Sequence, residues 1–123
     1  MRMEDTYRSP SAIELILLKK LLERDFPGRD NLLRQLDGLS VKTVDEEGSL
    51  SIQVDPLAPS AEVKRRVVSE AYYCDEDDGI SSEGAKVNVL LHVVNGKLTE
   101  IEIYKDDGSP IKKRPSAEGL TFY

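Results

Sequence analysis

An internal disulfide is excluded at the outset, because the 123-residue chain carries a single cysteine, Cys74. Histidine is equally scarce: His92 stands alone, and one Cys with one His does not build a Cys/His zinc site within one chain. No metal and no cofactor is expected. No apolar run approaches the roughly 18 residues that a membrane-spanning helix needs, and the opening MRMEDTYRSP lacks the apolar stretch of a signal peptide. No membrane association is expected, and a cytoplasmic, reducing compartment is. Positive charge is in deficit, with 17 Lys and Arg against 23 Asp and Glu and a net charge of −6. A phosphate backbone demands clustered cations, so no nucleic-acid partner is expected, and the acidic balance suits solubility or a basic partner. Absent too are a glycine-rich phosphate loop, a nucleophile elbow and an HExxH helix, so the chain is not expected to be an enzyme.

What is present is periodicity. The length suits one domain, and a chain this size buries roughly two thirds of its unfolded surface. Residues 1–8 are polar and expected to fray as a disordered N-terminus, leaving 9–123 as a single α+β domain. Ser11-Ala12-Ile13-Glu14 fits a capping box, with Ser9 as cap and Pro10 at the first helical position an equal alternative. Ile13, Ile16, Leu17, Leu21 and Leu15, Leu18, Leu22 then recur at helical spacing as one broad apolar face, and Pro27-Gly28 ends the helix. A second, shorter helix fits Asp30–Leu36, with Asp30 as its cap and Gly38 at its C′ position.

The pattern changes to period two at Leu39, Val41 and Thr43, turns through residues 45–49, and alternates again at Leu50, Ile52 and Val54, which predicts a hairpin. Residues 55–60 form a proline-rich connection. A third strand fits Val63–Cys74, an acidic loop spans Asp75–Gly84, and two strands lie within Lys86–Ile111. Helices followed by strands predict α+β: two N-terminal helices packed on one face of an antiparallel sheet of about five strands.

The last hairpin contains Asn95-Gly96, the standard signal for a two-residue turn. Its apolar pattern opposes that turn. A plain two-residue loop pairs Leu91 with Glu100 and Val89 with Glu102, placing carboxylates on the face of Val87, Val89, Leu91 and Val93. A three-residue loop, Val94-Asn95-Gly96, pairs Leu91 with Thr99, Val89 with Ile101 and Val87 with Ile103, with Gly96 in a G1 bulge. That register is predicted. The opposite face then holds Asn88, Leu90, His92, Leu98, Glu100, Glu102 and Tyr104, with His92 across from Leu98 and diagonal to Glu100.

This mixed face is the candidate interaction surface, as Leu90, His92, Leu98, Glu100, Glu102 and Tyr104, joined by Asp75, Asp77 and Asp78 of the acidic loop. A His beside a carboxylate also suits a general base or a pH-sensitive contact. The acidic loop invites a calcium reading that fails: counted from Asp75, position 6 of an EF-hand loop is Ile80 and position 12 is Lys86, where Gly and Glu are required. The runs Lys64-Arg65-Arg66 and Lys112-Lys113-Arg114 suit solvated strand edges, or an acidic contact if they lie together. Cys74, beside acidic residues that raise a thiol's pKa, is a poor nucleophile.

The segments Asp25–Asp30, Gly38–Val41, Asp45–Leu50, Val89–Val94 and above all Leu98–Ile111 resemble a family of short bacterial proteins of unknown function, over roughly residues 11–111. The resemblance implies a bacterial, cytoplasmic protein and carries no activity, cofactor or catalytic residue. The expected function is therefore a non-enzymatic binding module with a protein partner, in its most concrete form an acidic immunity- or antitoxin-like protein that blocks a basic partner. A homodimer through the same face, and a small enzyme with a pocket around His92, Glu100, Glu102 and Tyr104, are the alternatives.

Overall fold

The alternating segments pair into one antiparallel sheet in the computed structural model, which describes residues 3–76 and 85–123. Its strands are β1 (Ser40–Thr43), β2 (Leu50–Gln53), β3 (Val67–Cys74), β4 (Lys86–Val94), β5 (Lys97–Lys105) and β6 (Thr121–Phe122), in the order β1-β2-β5-β4-β3-β6. Among the described residues there are thus six strands rather than about five. The addition is β6, which pairs Phe122 with Ala71 and Thr121 with Tyr72. Two residues are too short a run for period-two patterning to register. β3 also starts at Val67 rather than Val63.

The helices α1 (Ala12–Leu21) and α2 (Arg29–Arg34) precede the sheet. Both halves of the Ser11 capping box form: Ser11 Oγ accepts the Glu14 N–H at 3.1 Å, and Glu14 Oε1 accepts the Ser11 N–H at 2.8 Å. Leu17, Leu18, Leu21 and Leu22 are buried with Val41, Leu50, Ile52, Ala71, Val87, Val89, Leu91, Ile101 and Ile103 in the core between helices and sheet. The apolar face of α1 is narrower than its spacing predicted, since Ile13 and Ile16 are 70% and 55% exposed. The helix also ends at Leu21, before Pro27-Gly28. Asp30 does not cap α2. Gly28 does so by its backbone at φ 94°, and a Cβ there would come within 2.7 Å of the Val63 side chain.

The turn chemistry of the last hairpin defeats the predicted loop. Val94 and Lys97 flank a two-residue turn with Asn95 at φ 52° and Gly96 at φ 77°, the geometry that matches the twist of the flanking strands. The parity conflict is real, however, and is resolved further on. Val93 pairs with Leu98 and His92 with Glu100, so Thr99 is the extra residue of a bulge. Leu91 then faces Ile101 and Val89 faces Ile103, giving the apolar face the pattern required. Leu98, on the turn side of the bulge, goes to the core face and is only 2% exposed, so it is not part of the mixed face.

The segment expected to fray is, from Glu4 to Arg8, held along β1. Glu4 N–H donates to Thr43 O at 2.9 Å, and Arg8 and Val41 exchange backbone hydrogen bonds at 2.8 Å each. Arg8 lies between Glu4 at 2.9 Å and Glu14 at 2.7 Å. Hydrogen bonds from Arg8 and from Thr43 N–H lower the Glu4 carboxyl from 4.5 to about 2, and Arg8 is also the main reason the Glu14 carboxyl is lowered. Carboxyls depressed on folding stabilise the fold above their unfolded pKa, near 4.5, and lose that contribution as pH falls toward their folded values. Between pH 5 and about pH 2.5, the thermal midpoint of Arg8→Gln should therefore fall less steeply than that of the parent. Parallel slopes would show that the cluster does not contribute.

Candidate functional site

Strand alternation sends Asn88, Leu90 and His92 of β4, and Glu100, Glu102 and Tyr104 of β5, to the side of the sheet opposite the helices. β3 adds Glu70 and Tyr72, which pair with Leu90 and Asn88, and β2 adds Ser51 opposite Glu100. The mixed face therefore exists, with Leu98 removed.

His92 is opposite Glu100, rather than Leu98, and its partners are elsewhere. Arg66 Nε–H donates to His92 Nδ1 at 3.2 Å, and His92 Nε2 lies 2.8 Å from Glu102 Oε1. An acceptor at Nδ1 assigns the proton to Nε2, which donates to Glu102. Both ring nitrogens are engaged and the side chain is buried.

The other end of the face is aromatic. Tyr72 and Tyr123 lie with ring centroids 4.9 Å apart, and Tyr123 Oη–H donates to Asn88 Oδ1 at 2.8 Å. Asn88 Nδ2 donates in turn to Asp106 Oδ1 at 2.6 Å. Tyr104, opposite Asn88, is 42% exposed. Lys86 Nζ sits 4.4 Å from the Tyr72 ring centre and Lys42 Nζ 4.9 Å from that of Tyr7, so these two cations are held over rings. Among the described residues, Glu70 and Glu100 make no ion pair. Glu70 and Tyr104 are exposed and Glu100 and Glu102 half-buried, while the cations of this face, also without ion pairs among the described residues, lie against His92 (Arg66) or over tyrosine rings (Lys42 and Lys86).

Asp75 is not on this surface. It is buried, with Oδ1 3.0 Å and Oδ2 3.3 Å from Lys105 Nζ, while Oδ2 accepts the Lys112 N–H at 2.7 Å. Lys105 falls on the core face opposite Val87 and also meets Glu76 at 3.1 Å. Burial alone would raise the Asp75 carboxyl, but the Lys112 N–H and Lys105 hold it below its ordinary value. Asp77 and Asp78, like the rest of residues 77–84, lie outside the described residues. The two basic runs do not lie together. Lys64-Arg65-Arg66 leads into β3, whereas Lys113 O accepts the Tyr73 hydroxyl at 2.6 Å near its far end.

Cavities of about 370, 350, 250 and 260 Å³ open elsewhere, none lined by His92, Glu100, Glu102 or Tyr104. Among the described residues no cluster of three or more His, Cys, Asp or Glu could hold a metal ion, and no helix is long and apolar enough to cross a membrane. Gln35 escaped the sequence reading. It is fully buried, and its Nε2 donates to Pro59 O at 2.7 Å and Gly96 O at 2.8 Å while its Oε1 accepts the Leu98 N–H at 2.9 Å. Its one visible signal is a polar residue beside leucines on a short helix, which has many other meanings.

Residues 7–115 match the family model described as Domain of unknown function (DUF6984), in keeping with the resemblance to an uncharacterised family. No curated protein and no solved structure matches.

Proposed function

We propose that this chain, which belongs to the DUF6984 family of domains of unknown function, is a protein-binding module whose sheet face opposite the helices holds a basic partner surface. The observation that carries the reading is the charge arrangement of that face. Glu70, opposite Leu90, and Glu100, opposite His92, stand without ion pairs among the described residues, while Lys42 and Lys86 are held over tyrosine rings and Arg66 is turned onto His92. Tyrosines flanked by polar groups suit the centre of an interface, where aromatic anchors contribute most of the affinity. The net charge of −6 favours encounter with a basic partner. An immunity- or antitoxin-like module would use such a face to cover a basic site on its target. Both ring nitrogens of His92 are occupied, by Arg66 and Glu102, which favours a structural contact over acid–base work.

The test places a photo-crosslinking residue at Tyr104 and, as a control, at Leu57, which is 94% exposed in the proline-rich connection rather than on a strand of the face. In extracts of the source cells, position 104 should trap a basic protein, position 57 should not, and Glu100→Lys should reduce the yield at 104 at least tenfold. Equal adducts at both positions, or none at 104, would sink the reading. So would an adduct of twice the chain's mass, which would instead identify a homodimer.

A further inference from the structure

β3 is paired on both sides for only part of its length. β6 covers Ala71 and Tyr72, and the Tyr123 N–H reaches Glu70 O at 3.1 Å. From Val67 to Ser69, no strand lies on that side among the described residues. Two cavities, of about 370 and 350 Å³, flank this stretch and share Phe26, Arg65 and Val68 as lining residues. The two adjoin along those residues as the halves of a groove beside β3. Its floor is apolar, from Phe26, Val63 and Val68, each partly buried against the core.

The rim is cationic. Lys64 and Arg65 are exposed, with no carboxylate within ion-pairing distance among the described residues. Arg24 lies with its guanidinium 4.8 Å from the Phe122 ring centre and donates to Tyr123 O at 3.2 Å. Glu70 shares the second lining with Arg24, which is already engaged, and Glu62 shares the first with Lys64 and Arg65, so a positive excess of one remains at that end of the groove on a chain that is acidic elsewhere.

We propose that this groove binds an extended acidic peptide of a partner protein as an added strand beside Val67–Ser69. An unpaired strand edge recognises extended backbone by hydrogen bonds, and alternate side chains supply specificity. One set would enter the Phe26–Val63–Val68 floor and the other would meet Lys64 and Arg65. Basic residues and a bulge on an edge strand are also a common guard against aggregation. Here the bulged residue, Val68, lines both cavities, which a mere guard does not require. The groove meets the sheet face at Glu70 and Tyr123, but its floor and its Lys64–Arg65 rim lie outside that face and are opposite to it in preferred charge, so substitutions at Arg65 and at Glu100 test the two proposals separately.

The test is a selection of random displayed heptapeptides on the full chain, followed by fluorescence anisotropy with the enriched peptide. Acidic, proline-free sequences should emerge. Replacing their Asp and Glu by Asn and Gln, or N-methylating alternate backbone amides, should weaken binding at least tenfold. Arg65→Glu and Lys64→Glu, both at exposed positions, should each do the same without shifting the thermal midpoint. A selection yielding no binder, basic or proline-rich binders, or binders indifferent to both substitutions would overturn the proposal. So would a concentration-dependent dimer that Arg65→Glu dissociates, since the edge would then pair with a second copy.

Discussion

Asp75→Ala is expected to lower unfolding free energy by about 3 kcal/mol in a urea titration, the lower end of what breaking a buried ion pair costs. The side chains of Lys105 and Asp75 are 1% and 0% exposed, and Asp75 is also the acceptor for the Lys112 N–H. Removing the carboxylate leaves that N–H and a buried ammonium short of partners. Glu76, with its side chain 41% exposed, keeps one contact to Lys105 and places the effect at the low end of the range. The companion experiment is the double replacement Asp75→Leu with Lys105→Met. It should recover most of the loss, because an apolar pair avoids desolvating two charges. A single-mutant cost under about 1 kcal/mol would mean that water reaches the pair. The linkage has a sign: Asp75 is depressed on folding, so its contribution is full above the ordinary aspartate range and declines as the solution is acidified through it.

Gln35→Leu is expected to cost about 2–3 kcal/mol although it adds apolar bulk to a fully buried site. The amide joins three parts of the chain: α2, the proline-rich connection at Pro59, and the last hairpin at Gly96 and Leu98. Gly96 O keeps a donor, the Ala61 N–H at 2.8 Å. The Leu98 N–H and Pro59 O would lose the amide, and an orphaned buried polar group costs its full desolvation. Asn31→Ala is the contrast, since its 3.1 Å hydrogen bond to Ser60 O is exposed, and it should cost under about 1 kcal/mol. Equal effects of the two substitutions in parallel urea titrations would show that burial of the Gln35 network contributes nothing.

Much of the architecture was legible because it is written in local chemistry. The Ser11 cap, one of the two the sequence offered, and the β1–β2 hairpin each depend on residues a few positions apart, and both formed. The last hairpin shows where legibility stops. Turn preference and apolar parity gave opposite registers, and nothing local shows that a bulge at Thr99 satisfies both. Leu98 was misassigned for that reason alone. Ile13 and Ile16 show the other limit, since helical spacing marks an apolar face but not how much of it a sheet will cover. Asp75 looked like the head of a solvated acidic run because its partner, Lys105, is reached only through the sheet. The candidate face was found from β4 and β5, whereas Tyr72, Glu70 and Tyr123 join it from strands whose neighbours the sequence does not specify.

The order of the sheet has a consequence for how the chain assembles. β4 and β5, joined by two residues, occupy the middle, while β2 reaches β5 and β6 reaches β3 from far along the chain. The pairing cheapest in loop-closure entropy is therefore also the one on which every other strand depends. Closure at Asn95-Gly96 is therefore expected to come first, with the long excursions on either side docking onto a template already in register. A slip at Thr99 would thus propagate outward through both flanks rather than remain a defect of one turn.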